Sequence, residues 1–475
     1  MKEIKLSFDR WGGNAVTRYN WKINVSNHAS DWFYENIPND STADLFVDKD
    51  KKSGTRTMMT VTLIGWTPKD RERRCGFSVA KYGPQQRTDQ WAPDCGNGIN
   101  TSGKKITGND PHDTSIEITP EFTKEFVQHL TAVHGTASNG GVLFYELDNE
   151  YDLWHETHRD VHPKPASTDE IVNASISHAT AVKEADPSAL VLGPVGWGYR
   201  SLLVSGLDQS NNDGADRKAH GNIMFGEYYL QQMKAYQDKH GVRILDYYDN
   251  HIYPQAADVL SDKTDPITFA TRLRSTRCLW DPNYVDESWI KDKIIYIPRM
   301  QKMIVDYYPG TKTAVTEYNW GGLKTLNGAL AQAEVLGIFG REGLDLAGLW
   351  GPEKPTDPWA YAFRMFRNYD DKGSIFGDTS VSAMSDDHEK LSIFASTRSS
   401  DHSLLLVVIN KDPSQSLTSM VSINGFSAAG SAHVFSYSNA NLSKIVQLPN
   451  QNISTGGFNA TFPSYSITLF EIPAK

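Results

Sequence analysis

An alternation of two periodicities constrains the fold more than any single motif. Up to residue 350, apolar strand-like runs near residues 4–8, 57–65, 141–149, 190–195, 244–253, 313–317 and 346–350 are interleaved with helically spaced apolar stretches at 120–134, 169–185, 225–240, 291–308 and 326–341. Parallel strands can be joined only by long crossovers, usually helices, so this order specifies βαβ units and a parallel sheet. The strand count stops at seven, one short of the (β/α)8 TIM-type barrel that this α/β alternation predicts, so either an upstream segment completes the barrel or side chains and loops cover the gap. From residue 391 the texture changes to LSIFASTR, LLLVVIN, AHVFSYS and SYSITLFEI, short alternating runs separated by Gly, Asn, Ser and Pro. That pattern predicts an antiparallel β-sandwich. The expected division is a barrel over residues 1–384 and a sandwich over 385–475, packed directly together because no low-complexity linker separates them.

In such a barrel the chemistry sits where strands end, on the carboxyl-terminal face. The stretch 141–163, GVLFYELDNEYDLWHETHRDVHP, brings Glu146, Asp148 and Glu150 at alternate positions before it breaks into a loop. Strand side chains alternate faces, so the three acids share one face, and Glu150 is the last of them. Glu146 and Asp148 would be buried in mid-strand and need partners, an arginine such as Arg10 being one candidate. A second strand-end acid, Glu317, lies in Val315-Thr316-Glu317-Tyr318-Asn319-Trp320.

These motifs resemble glycoside hydrolase family 44. The resemblance rests on Asn149-Glu150 with Leu153-Trp154-His155 and Thr157-His158-Arg159, on the Glu317 segment, and on Arg10-Trp11-Gly12-Gly13-Asn14 with Arg18-Tyr19-Asn20-Trp21. It runs almost from Arg10 to the C-terminus. It implies a retaining, endo-acting hydrolase of β-1,4-glucan chains, with xyloglucan as a further substrate, Glu150 as general acid/base and Glu317 as nucleophile. Retention requires two carboxyl groups roughly 5–5.5 Å apart, and two strand ends on one barrel face can bring them together. Asn149 is expected to bond a sugar hydroxyl beside the cleaved bond, His251 and Tyr253 to orient the nucleophile, and Trp350 to stack under a sugar. Arg10, Asn14, Trp21, Trp66, Trp154, Trp197, Tyr199 and Trp320 are further candidates for lining the cleft. No cofactor is required for this chemistry, although acidic loops such as 110–113 could hold a structural calcium ion. Two alternatives stay open, a catalytically silent carbohydrate-binding protein on the same scaffold and a related retaining barrel for another β-glycan.

Composition narrows the other classes. A net charge of −10 argues against a nucleic-acid partner, which needs a basic footprint. Twelve Trp and 21 Tyr suit sugar-ring stacking, although the same residues also build cores. His158 and His162 share a helical face, but a catalytic zinc motif needs Glu after the first His, and residue 159 is Arg. Cys75 and Cys95 could bridge a loop, or all three cysteines, Cys278 included, could be free thiols. No apolar run is long enough to span a membrane, and Met1 leads straight into a strand-like segment without an export signal. The expected protein is a monomer, secreted in its natural form. Only nine residues precede Arg10, where the resemblance implies a few tens that include a first barrel strand, so the natural chain is expected to begin further upstream, with that strand and an export signal.

Overall fold

The computed structural model describes residues 3–352, 354–454 and 456–475. Seven parallel strands form one curved sheet in sequence order, β1 (Phe8–Trp11), β2 (Arg56–Val61), β3 (Phe144–Leu147), β4 (Leu190–Gly196), β5 (Tyr247–Asn250), β6 (Lys312–Tyr318) and β7 (Leu346–Leu349). Helices cross between them, among them α1 (Ala43–Ser53), α2 (Pro120–His134), α3 (Thr168–Ala185), α4 (Phe225–His240), α5 (Pro266–Ser275), α6 (Tyr296–Tyr307) and α7 (Leu326–Glu342), with α8 (Pro358–Arg367) after the last strand. Inside the sheet, Met58, Phe144, Leu192, Tyr247, Ala314 and Leu346 form one buried apolar cluster at a single level, the layered filling typical of such barrels.

β1 and β7 are the two ends of this sheet and do not pair with each other. A cavity of about 790 Å³ lies along the two edges, lined by residues of both strands and of α7 and α8. An added Cβ on Gly348 would meet the Phe8 ring at 3.4 Å, so side chains rather than backbone bonds span the seam. The first strand starts later than the apolar run at 4–8 suggests. Ile4 and Leu6 belong instead to an outer cluster with Trp359, Ala360 and Phe363, and the register Phe8↔Arg56 and Arg10↔Met58 carries Arg10 into the barrel.

The C-terminal region contains a six-stranded antiparallel sheet and a two-stranded one, and the core between them joins Leu406, Val408, Val434 and Phe470 to Val421, Phe458 and Phe462. One strand of the larger sheet, Thr379–Val381, lies ahead of the boundary expected after residue 384, because three residues are too few to register as an alternation. The sheet packs on the barrel through a continuous core that includes Phe394, Leu405, Tyr437 and Leu469. Tyr361 stacks on Tyr437 at 4.8 Å, and buried Glu334 accepts from Lys411 at 3.1 Å.

Candidate active site

β3 ends in two departures from ordinary backbone, one on either side of Asn149. Asp148 and Glu150 both have positive φ, 67° and 46°, a region that non-glycine residues seldom occupy and that concentrates at functional sites. The turn is held in place. The buried Asp148 carboxylate accepts from the backbone N–H groups of Leu63 (2.6 Å), Ile64 (3.1 Å) and Asn149 (2.8 Å), and Glu150 N–H donates to the Val195 carbonyl at 2.8 Å. Burial pushes the Asp148 carboxyl up to about 7 despite those bonds. The result is a Glu150 side chain displaced from the strand axis over the barrel mouth.

Glu317, at the end of β6, comes to meet it. One carboxylate oxygen of Glu150, one of Glu317 and a ring nitrogen of His251 all lie within 4.8 Å of one another. Glu317 Oε1 accepts from Arg10 Nη1 at 2.5 Å and Oε2 from the Tyr253 hydroxyl at 2.8 Å. Burial works against the ionised form, but His251, Arg10 and Tyr253 together outweigh it and hold the Glu317 carboxyl below its ordinary range.

Arg10 organises the floor of the site. Its Nε donates to both Glu146 oxygens (2.7 and 2.9 Å) and its Nη2 to Asn149 Oδ1 at 2.9 Å. Glu146, wholly buried, also accepts from Thr60 Oγ1 at 2.6 Å. The mid-strand charge is therefore paired as its burial demands. Asn149 Nδ2 donates in turn to Asn14 Oδ1 at 3.0 Å, and the Trp350 ring lies 5.9 Å from the Arg10 guanidinium.

His251 links the two acids to the interior. Its Nδ1 is 3.1 Å from Glu150 Oε1 and 3.5 Å from Glu317 Oε2, while Nε2 is 3.2 Å from Thr316 Oγ1. The Thr316 hydroxyl donates to Asp249 Oδ2 at 2.7 Å, so it can only accept from His251, and Nε2 carries a proton. Burial alone would discharge this ring, yet Glu317 and Glu150 outweigh it and push its pKa from 6.5 to about 9. The sign of the linkage follows. The folded value lies above the unfolded one, so the stabilisation is complete below about 6.5 and is lost as pH rises through about 9. The unfolding temperature is expected to fall across that interval, and His251→Asn should flatten the fall; an equally steep decline in the variant would assign it to other groups.

Of the predicted residues, Arg10, Asn14, Asn149, Glu150, His251, Tyr253, Glu317 and Trp350 converge here. Others do not. Trp154 and Trp320 are each 1% exposed, their indole N–H groups donating to Asn149 O (3.2 Å) and Ser275 Oγ (3.1 Å), so they pack behind the site and cannot touch a ligand. Trp21 stacks on Phe126 (5.6 Å) and His129 (5.1 Å) of α2, on the helical layer. The Tyr199 ring is buried with its hydroxyl donating to Asp292 at 2.8 Å. Trp197, half-buried, donates to Gln209 at 3.0 Å, and Trp66 stands edge-on to His112 at 5.2 Å. Amphipathic rings serve cores and ligand faces equally well, so residue type alone did not separate the sealed Trp154, Trp320 and Tyr199 from the rings that stay partly exposed, Trp21, Trp66 and Trp197. Asp249 and Thr316 were missed, although Asp249 stands two positions before His251 at the same strand end. Trp289 is 55% exposed, with Nε1 at 3.5 Å from Gln255 Oε1.

Among the described residues, Glu150, His251 and Glu317 are the one group of acids and histidines with metal-ligand spacing, but Arg10 and the charged imidazole already supply positive charge there. His155, His158 and His162 form no such group. His162 Nε2 is 2.7 Å from Glu170, and burial holds His158 far below the ordinary histidine value, hence neutral. In the 110–113 loop, Asp110 is engaged by His112, and Asp113 by Lys81 and Tyr82. Cys75 and Cys95 are joined in a disulfide, and Cys278 is free and buried.

Residues 25–256 match the sequence profile of glycoside hydrolase family 44. The crystal structure of CelM2, a bifunctional glucanase-xylanase from a metagenome library, is similar over 100% of this chain and 94% of its own, with 40% identity and a TM-score of 0.97. A Paenibacillus polymyxa xyloglucanase of the same family, solved with xyloglucan, is 29% identical, with a TM-score of 0.85 over 100% of this chain and 94% of its own. Endoglucanase A of Paenibacillus lautus is 31% identical over 96% of this chain, which spans 67% of that longer protein.

Proposed function

The chain belongs to glycoside hydrolase family 44, and on that premise we propose that it cleaves β-1,4-glucan chains internally, with retention, through Glu150 and Glu317. The observation that carries this reading is that one carboxylate oxygen of Glu150 lies within 4.8 Å of one of Glu317, an approach that suits the closely spaced acids of a retaining enzyme better than the wider pair of an inverting one. In the first half-reaction Glu317 attacks the anomeric carbon while Glu150 gives its proton to the leaving oxygen. In the second, Glu150 takes a proton from water, which displaces Glu317 from the sugar. Arg10 and Tyr253 hold Glu317 ionised and aimed, at a fixed orientation that requires little reorganisation when charge moves. His251 faces both acids, so it can balance their charge as the proton leaves and returns. A silent binding protein would have no need of a second acid held ionised 4.8 Å or less from the first.

The xyloglucan-bound relative supports a branched glucan as a further substrate. The Cys75–Cys95 disulfide fits an oxidising compartment and hence export, and no helix among the described residues is long and apolar enough to cross a membrane. An open barrel mouth, with Trp350 exposed at 44% and Trp289 at 55%, should grip a chain in its middle. The viscosity of soluble carboxymethyl cellulose is therefore expected to fall well before reducing ends accumulate, and the first-formed reducing end should be the β-anomer by proton NMR. Release of cellobiose alone at constant viscosity, or an α-anomer, would contradict the reading.

A further inference from the structure

Behind the acid pair lies a third acid that the two-glutamate scheme leaves unused. Asp249 is 0% exposed, and its hydrogen bonds come not from a cation but from one residue: Oδ1 accepts from the Thr316 backbone N–H at 3.1 Å and Oδ2 from the Thr316 hydroxyl at 2.7 Å. A carboxylate sealed from water in this way is costly unless positive charge lies close by. That charge is one hydroxyl away. Thr316 Oγ1 lies 3.2 Å from His251 Nε2, and His251 Nδ1 lies 3.1 Å from Glu150 Oε1 and 3.5 Å from Glu317 Oε2.

The order of donors along this row is forced. A hydroxyl has one hydrogen, and an ionised carboxylate can only accept. The Thr316 hydrogen is therefore spent on Asp249, Oγ1 is left to accept, and Nε2 keeps its proton. With Nε2 occupied and two carboxylates at its other edge, the ring takes its second proton on Nδ1 and becomes a cation. The charged groups around it act in that sense. Burial and Arg10 oppose the charged ring, but Glu317 and Glu150 outweigh them. Burial and Glu146 push the Asp249 carboxyl up to about 6, while His251, the Thr316 hydroxyl and Arg10 favour its ionised form.

We propose that Asp249 is a positioning residue which, through Thr316, fixes the direction of hydrogen bonding at His251 and so keeps a cation beside the Glu317 nucleophile. The proposal rests on the glucanase reading and deepens it by one residue. A mere brace between β5 and β6 would make the same two contacts, and Asp249→Asn separates the two roles. The Thr316 backbone N–H still requires an acceptor, so the amide oxygen turns to it and the amide NH2 donates to Oγ1. The hydroxyl hydrogen then points at Nε2, which becomes an acceptor, and His251 is left with one proton, on Nδ1, and no charge.

The test reads the ring directly. In protein labelled with ¹⁵N-histidine, the His251 signals, assigned by their disappearance in His251→Asn, should show both ring nitrogens protonated at neutral pH, whereas Asp249→Asn should show one protonated and one bare. The acid limb of kcat/KM on an aryl cellobioside should move up by about one pH unit or more in Asp249→Asn, because a cation that helps hold Glu317 ionised is gone. Thr316→Val, which removes the hydroxyl and keeps the β-branched shape, should move the limb the same way, and Thr316→Ser should restore it, so the Thr316 variants carry the test even where Asp249→Asn does not fold. A ring still doubly protonated in Asp249→Asn, or reduced activity with an unmoved acid limb, would make Asp249 a brace and overturn the proposal while the glucanase reading stands. A wild-type protein inactive on β-1,4-glucan would overturn that reading, and the ring spectra would still decide the relay.

Discussion

Glu317→Gln is expected to abolish turnover on every substrate, aryl cellobiosides with activated leaving groups included. The amide keeps the volume and can still meet Arg10 and Tyr253, but it has no charge with which to attack the anomeric carbon, so no leaving group is good enough to rescue it. Glu150→Ala should behave differently. Loss of the general acid costs roughly 10²- to 10⁴-fold on polysaccharide, yet an activated aryl glycoside needs no proton and should still glycosylate Glu317. Azide, small enough for the space left by Glu150, should then release a β-glycosyl azide. In Glu317→Ala, azide attacking from the opposite face should give the α-azide. The azide products, identified by NMR, decide the assignment, and wild-type-like activity in both variants would dispose of it.

Arg10→Met is expected to be the most disruptive change outside the acid pair. Arg10 is the shared partner of Glu146 and Glu317 and donates to Asn149 as well, so its removal strands two buried carboxylates. Breaking a buried pair in this way costs about 3–5 kcal/mol, and here the strain can be relieved only by protonating one of the acids. Both effects have a direction. Glu317 is held below its ordinary range partly by Arg10, so without the guanidinium its ionised form is lost at a higher pH as the solution is acidified, and the acid limb of the kcat/KM profile should move up. Arg10→Lys keeps the charge but not the fork that reaches three partners, and should recover part of the stability and little of the activity. Chemical denaturation and pH-rate profiles of the two variants check this. A profile unmoved in Arg10→Met would mean that Tyr253 and His251 suffice to hold Glu317.

Much of this was legible in the chain. The interleaved periods of strand and helix specified parallel βαβ units, because neither element can bury its apolar face any other way. They also gave the number of sheet strands, seven. Glu150 and Glu317 could be read as site residues because both end strands, and strand ends share one face in such a barrel. Burial of Glu146 implied a partner before Arg10 was seen to be it.

What only the tertiary structure decided concerns which side of a wall each side chain faces. Trp154 and Trp320 sit within motifs that mark the site, yet both are sealed behind it, whereas Trp91 and Trp289, in loops without strand or helix periodicity, stand open to solvent. Local pattern fixes an element's inward face through its period, but a loop has no period, and its orientation follows from distant partners such as Asp89, Arg73 and the Cys75–Cys95 bridge. The same holds for His251. Its strand-end position was visible, but its charge depends on Glu150, Glu317, Thr316 and Asp249 meeting around one ring from three strand ends. Chain order carries no distances between strand ends, and electrostatic coupling depends on little else.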